Sequence, residues 1–291
     1  MIRERFFTHH ASLFKTMHNN ISTPTPIQLI ALDQDGTLLD SNGRIPPQNI
    51  TAIKKAIAQG IQVIIATGKT RWSAKAAIEQ IGLHAPGVFT QGLVICDADG
   101  GVLHETTIPQ ETLLPILTYI EEKELPHLAY CSDQLRTPYH HSYSVMLHKK
   151  YHEPLPTVVG PLHDGLSRFH INKLLINDDA NNDATRAELE QLFGAQVTVT
   201  QAVPEYIEIL PLGTSKGKGL RWLLNKLGVP ETAVLAVGDG ENDIEMLQMA
   251  GIGVAMGNAH APVKAVADAV VASNDQAGVA EAIERFALTS N

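Results

Sequence analysis

The stretch Leu29-Ile30-Ala31-Leu32-Asp33-Gln34-Asp35-Gly36-Thr37-Leu38-Leu39-Asp40 constrains this chain more than any other. Its short apolar run lacks polar alternation, so it reads as a strand buried on both faces, as in a parallel sheet. The run ends in two carboxylates, and open α/β sheets place their ligands at the carboxyl ends of strands. Side chains alternate along a strand with period two, which puts Asp33 and Asp35 on the same side. Two carboxylates held together repel, and need a cation or a shared proton. Gly36 allows a sharp turn directly after them. The other reading is a turn or a helix cap that happens to use two aspartates, and only the rest of the chain decides between the two.

Two further strand ends carry polar loops, and a third such loop opens a helix. Ile61-Gln62-Val63-Ile64-Ile65-Ala66 runs into Thr67-Gly68-Lys69-Thr70-Arg71, ahead of a helix expected over 72–81. A hydroxyl and free amides at a helix N-terminus form an anion site; alternatively Thr67 is simply the helix cap. Lys216, in Thr214-Ser215-Lys216-Gly217, stands at another helix start. A cation there opposes the helix dipole and is best tolerated beside an anion, the alternative being a solvated lysine. Lys218 reads as a surface residue, and the loop does not spell a Walker A motif. Finally, the apolar strand 233–237 ends in Gly238-Asp239-Gly240-Glu241-Asn242-Asp243 and delivers a third carboxylate. Asp33, Asp35 and Asp239 are the hard oxygen ligands that Mg²⁺ prefers.

The middle of the chain has another texture. From about Pro109 a helix is followed by shorter elements, read as an inserted α/β module with its own core. It is rich in histidine, but the spacing fits no zinc pattern; His140 and His141 are the candidate ligand contacts. Asp97 and Asp99 repeat the two-residue spacing inside a turn that Asp and Gly explain by themselves. Asp178, Asp179 and Asp183 lack the glycine and terminal glutamate of an EF-hand. With 291 residues and a hydrophobic share of 44% the chain can bury a sizeable core. A net charge of −9 disfavours nucleic acid and anionic membrane as partners. Cys96 and Cys131 supply neither a disulfide framework nor a ligand cluster, and no apolar run reaches the ~18 residues of a membrane span. Residues 1–26 are weakly basic and read as a flexible leader, the alternative being an organellar transit peptide.

The D-x-D-G-T-L-L-D stretch resembles the first motif of the haloacid dehalogenase-like phosphohydrolases. Thr67-Gly68, the Lys216 of T-S-K-G and the G-D-x-x-N-D around Asp239 follow in that family's order. Residues 253–259 and 272–275 resemble the C-terminal signature of its Cof-like branch. The resemblance implies an α/β fold: a doubly wound, mainly parallel sheet from 27–108 and 206–291, with an α/β cap inserted over 109–205. It implies a Mg²⁺-dependent phosphatase acting on a small phosphorylated metabolite, a sugar phosphate first. Asp33 would be the nucleophile, becoming an aspartyl phosphate, and Asp35 the acid and base. Thr67, Gly68 and Lys216 would hold phosphate, Asp33, Asp35 and Asp239 the metal, with Asn242 and Asp243 supporting it. Asp35 could reach the metal through its backbone carbonyl. The alternatives are a sugar phosphomutase or phosphotransferase, and a non-catalytic metabolite-binding module. Three positions depart from the family's usual residues: Gln34 for an apolar residue, Lys69 for Arg, and Gln91-Gly92 for Asn-Gly. A cytoplasmic monomer or small homo-oligomer is expected, with an organelle as the alternative compartment.

Overall fold

The structure, a computed structural model, describes residues 25–203 and 205–288. The expected leader therefore falls almost wholly outside the described residues. β1 (Leu29–Leu32) is buried along its whole length. The chain crosses through α1 (Pro47–Ala58) to β2 (Gln62–Ile65), which pairs parallel with β1. Proline suits the start of α1, where the missing N–H would be unpaired anyway. After α2 (Arg71–Ile81), the strands β3 (Gly87–Phe89), β4 (Val94–Cys96) and β5 (Val102–Glu105) form a small antiparallel sheet. A parallel bridge from Ala66 to Val88 fastens it to the end of β2.

The inserted unit starts with α3 (Gln110–Glu122) and continues through β6 (His127–Cys131), β7 (Gln134–Thr137), α4 (Ser142–Tyr151) and β8 (Thr157–Val158). β9 (Lys173–Ile176), α5 (Asn182–Phe193), β10 (Val197–Val203) and β11 (Tyr206–Pro211) complete it. The chain then returns as α6 (Lys216–Leu227), β12 (Val234–Gly238), α7 (Ile244–Met249), β13 (Ile252–Ala255), α8 (Ala261–Val266), β14 (Ala269–Val270) and α9 (Gly278–Phe286).

The core sheet has the order β14-β13-β12-β1-β2, and every pair in it is parallel. Alternation along the strands sorts the side chains onto two faces. Ile30, Leu32, Val63, Leu235 and Val237 pack under α1, α2 and α9. Leu29, Ala31, Ile64, Val234 and Ala236 pack under α6, α7 and α8. Helices on both faces of a parallel sheet make this a doubly wound α/β fold. The insert carries a mixed six-stranded sheet, β10-β11-β9-β6-β7-β8. Its outer face is covered by α3 and α5. Among the described residues no helix is long and apolar enough to cross a membrane.

One expected boundary is corrected. The expected boundary at 206 puts β11 in the core, but β11 pairs antiparallel with β10 and β9 and so belongs to the cap sheet. Its six residues are buried throughout, as in a central strand, and sequence alone does not say which sheet a buried strand joins. The return to the core comes after Pro211.

The docking of α6 onto the core depends on a close backbone approach. Gly92 has φ +91°, and a Cβ there would lie 2.2 Å from the Ser215 carbonyl oxygen, one residue before Lys216. Gly92→Ala should therefore cost at least about 2 kcal/mol, from left-handed strain plus a backbone clash. Urea denaturation measures this; an unchanged midpoint would mean that α6 does not need this contact.

Candidate active site

β1 and β12 are neighbours, so the residues that follow them emerge side by side at the carboxyl edge of the sheet. Asp33 leaves β1 there and Asp239 leaves β12. Lys216 reaches in from the first turn of α6, whose cap is Ser215, its Oγ accepting from the Lys218 amide at 3.1 Å. The Lys216 ammonium donates to Asp33 Oδ1 at 2.7 Å and to Asp243 Oδ1 at 2.5 Å, and its side chain is fully buried. It is thus not a solvated helix-start lysine. Asp243 uses its second oxygen to accept from the amides of Asp239 and Gly240, at 3.0 and 2.9 Å, and so shapes the turn that presents Asp239.

Asp239 is held from the first loop as well. Thr37 Oγ1 donates to its Oδ1 at 2.9 Å. A Cβ on Gly36 would fall 2.3 Å from Asp239 Oδ2, so the carboxylate fits against a bare glycine at φ +76°. Asn258 Nδ2 donates both to the Gly36 carbonyl, at 2.8 Å, and to Asp239 Oδ2, at 3.3 Å. Asn274 donates its amide to Asn258 Oδ1 and its side chain to the Leu39 carbonyl, both at 2.9 Å. The C-terminal signature is therefore a brace that ties the first loop to the Asp239 turn.

Asp35 departs from the period-two expectation. β1 ends at Leu32 and the chain turns, so alternation no longer applies two residues beyond Asp33. The Asp35 carboxylate is half exposed and accepts from Lys69 Nζ at 2.7 Å. Asp33, Asp239 and Asp243 form the cluster instead, with one oxygen of each within 4.8 Å of the others, the only such group of three among the described residues. Thr70, not Thr67, caps α2, accepting from the Ser73 amide at 3.2 Å. Thr67 is left on the cavity wall beside Gly68 and Lys69.

The charges explain what the cluster can hold. Three carboxylates against one buried ammonium leave two negative charges, which a divalent cation balances. Burial, then repulsion from Asp243, push the Asp33 carboxyl well above the usual carboxylate range in spite of Lys216. Asp239 is pushed up to about 6, by burial first and with Asp243 adding to it, against the Thr37 hydrogen bond. Burial alone would lower Lys216, but Asp243 and Asp33 together outweigh it and hold it above the ordinary lysine value. The donor set, hard oxygens with surplus negative charge, fits Mg²⁺.

A cavity of about 1190 Å³ joins this edge of the core to the inner face of the cap sheet. Sequence reading singles out Gln91 only as a departure from the family pattern and misses the other residues that close it. Glu153, buried after α4, accepts from Thr70 Oγ1 at 2.7 Å and Ser73 Oγ at 2.5 Å, so a cap carboxylate sits on the N-terminus of core helix α2. Asp133, in the turn between β6 and β7, accepts from the Trp72 amide at 2.7 Å. Gln91 Nε2 donates to Glu208 Oε2 on β11 at 2.7 Å. Asn242 is exposed on the rim. His140 and His141 do not line the cavity: His141 caps α4, accepting from the Ser144 amide, and His140 is exposed. Asp97 accepts from the Asp99 and Gly101 amides, as a turn residue does.

Two substitutions test the electrostatics. Gln34 is buried and its Oε1 has no partner among the described residues, so Gln34→Leu should stabilise the fold by about 1 kcal/mol in urea denaturation. The Asp239 carboxyl holds its proton up to about 6 when folded but only to its ordinary 3.8 when unfolded. Between those values the folded state binds more protons, so in chelator the fold gains stability as pH falls from 7 toward 4. The gain is on the order of 2 kcal/mol once partial exposure is allowed for. Asp239→Asn should lack this increment, and a wild-type-minus-variant difference that ignores pH would refute the assignment.

Comparison with known proteins agrees with this geometry. Residues 30–283 match the family model of the haloacid dehalogenase-like hydrolases. The chloroplastic endoribonuclease YBEY of Arabidopsis thaliana is 37% identical over 89% of this chain, which spans only 46% of that protein. The 5-amino-6-(5-phospho-D-ribitylamino)uracil phosphatase YitU of Bacillus subtilis is 30% identical over 89% of this chain and 97% of its own length. The crystal structure of a haloacid dehalogenase-like hydrolase from Bacteroides thetaiotaomicron superposes with a TM-score of 0.79, at 30% identity, over 89% of this chain and 99% of that one. With a matching family model, a matching fold and an acidic cluster at the strand ends where that fold does its chemistry, this chain belongs to the haloacid dehalogenase-like hydrolases.

Proposed function

We propose that this protein hydrolyses small phosphate monoesters, sugar or polyol phosphates among them, through a phosphorylated Asp33. One observation carries the reading: a buried carboxylate, Asp33, is oriented by Lys216 at 2.7 Å on the wall of a cavity that also holds Thr67, Gly68 and Asp239. Lys216 occupies one Asp33 oxygen, leaving the other to attack phosphorus in line. The new Asp33–phosphorus bond replaces the ester bond, and the leaving alkoxide takes a proton from Asp35. In the second half, Asp35 takes a proton from water as it attacks the acyl phosphate, which frees Asp33 and phosphate. Lys69 holds Asp35 at 2.7 Å and lines the same cavity, so an incoming phosphate competes for its ammonium and releases Asp35 to act. Thr67 and the Gly68 amide, on the cavity wall ahead of a helix start, would bind phosphate oxygens.

Asp33 and Asp239 would hold Mg²⁺, with Asp243 and the Asp35 backbone carbonyl as further oxygens and Asn242 at the rim. When bound, the ion supplies charge neutralisation between Asp33 and the phosphate dianion. The cap excludes water while the ester reacts. The polyol preference is supported by the relative whose named substrate carries a phosphorylated ribityl chain, and by a cavity larger than a phosphate alone requires.

Phosphate release from a panel of phosphate esters is the test. Release should stop in chelator and return with Mg²⁺, and Asp33→Asn should lower kcat/KM by at least about a thousandfold. Equal turnover by the variant would remove Asp33 as nucleophile. Phosphate moved to a sugar acceptor in preference to water would indicate a phosphotransferase instead, and no turnover with retained Mg²⁺ binding would indicate a binding module.

A further inference from the structure

The cap wall of the cavity carries a second polar pair that the phosphoryl chemistry does not use. Lys173 on β9 and Glu208 on β11 stand on adjacent strands of the cap sheet, and both line the cavity. Each is more than nine-tenths buried. Such a pair loses much hydration on folding, and recovers it only through close, well-saturated contacts. This one is not saturated. Lys173 Nζ lies 3.4 Å from Glu208 Oε1, beyond the usual range for a charged hydrogen bond. Its other neighbour is the ring of Tyr130, with the ammonium 4.3 Å from the centroid. An ammonium has three donors, and among the described residues Glu208 and the Tyr130 ring are its partners, so most of its hydrogen-bonding capacity there is unspent. Glu208 spends Oε2 on Gln91, whose Cγ lies 3.4 Å from where a Gly68 Cβ would be. The pair is therefore linked through one side chain to the loop expected to bind phosphate.

We infer that Lys173 and Glu208 select the substrate's leaving group by hydrogen-bonding its hydroxyls. This rests on the phosphatase reading above. A donor and an acceptor side by side match a group that offers both, and a hydroxyl, or two neighbouring hydroxyls, does so. The pair is neutral overall, so by itself it offers no net attraction to a second anion on the leaving group. An aryl leaving group with no hydroxyl offers the pair no further hydrogen bond. A site built to bind hydroxyls discriminates strongly against analogues that lack them.

The test compares kcat/KM for ribitol 5-phosphate and glucose 6-phosphate with that for p-nitrophenyl phosphate, all with Mg²⁺. The proteins are wild type, Glu208→Gln, Lys173→Met and the double variant Lys173→Met/Glu208→Leu. The double variant removes both charges together, which avoids stranding one in the interior, and thermal melts verify that it folds. The inference expects wild type to prefer at least one hydroxylated ester, and every folded variant to lose that preference by about tenfold or more, chiefly through KM. An unchanged preference ratio, whether the variants stay fully active or lose activity on all esters alike, overturns it. So does a wild type that hydrolyses p-nitrophenyl phosphate but neither hydroxylated ester, and in both cases the phosphatase reading stands. Release from none of the esters by wild type sinks that reading, and this inference with it.

Discussion

The site depends on one buried ammonium. Lys216 stands at the positive end of α6, fully desolvated, a position that a lone cation would not tolerate. Asp33 and Asp243 compensate it, and each of these carboxylates depends on the lysine in turn. Removing one member of such a group typically costs about 3–5 kcal/mol, because a charge is left uncompensated in the interior. The same contacts set the chemistry. Lys216 fixes the orientation of Asp33, while Asp243 organises the turn that brings Asp239 into reach. Three segments distant in sequence are thus locked together, and their surplus negative charge makes the place suitable for a divalent cation.

Around that centre the fold connects the cap to the Thr67–Thr70 loop by direct contact. The first amides of α2 follow Thr67-Gly68-Lys69-Thr70, and a helix start attracts anions. Part of that attraction is satisfied by the cap residues Glu153 and Asp133. Gln91 makes the third tie, from a loop whose backbone also bonds the Thr67 carbonyl, at 3.1 Å, to Glu208 on the cap sheet. Cap position and loop geometry are therefore not independent. Movement of the cap would expose three polar contacts at the edge of the loop.

Much of this was legible from local pattern. The run before Asp33 lacks alternation because β1 is covered on both faces. The carboxylates and Lys216 stand at element ends, where side-chain chemistry is not needed for packing and so reads clearly in the sequence. What failed to read was long-range. β11 looks like any buried strand, and only its partners place it in the cap. Strand alternation misplaces Asp35, because alternation stops with the strand at Leu32. Glu153 lies in no motif and Gln91 reads only as a departure from the family pattern; their roles arise from partners 83 and 117 positions away.

The sequence by itself determined the parallel α/β class, the strand ends that carry the polar loops and the identities of Asp33, Lys216 and Asp239, because periodicity and loop chemistry are local properties of the chain. Tertiary structure decided that Asp243 rather than Asp35 completes the carboxylate cluster, that Lys69 holds Asp35, that His140 and His141 stay clear of the cavity, and that Lys173 and Glu208 face it. Each of these depends on the distance between segments far apart in the chain. Such distances follow from how the sheets pair and pack, which no short stretch of sequence encodes.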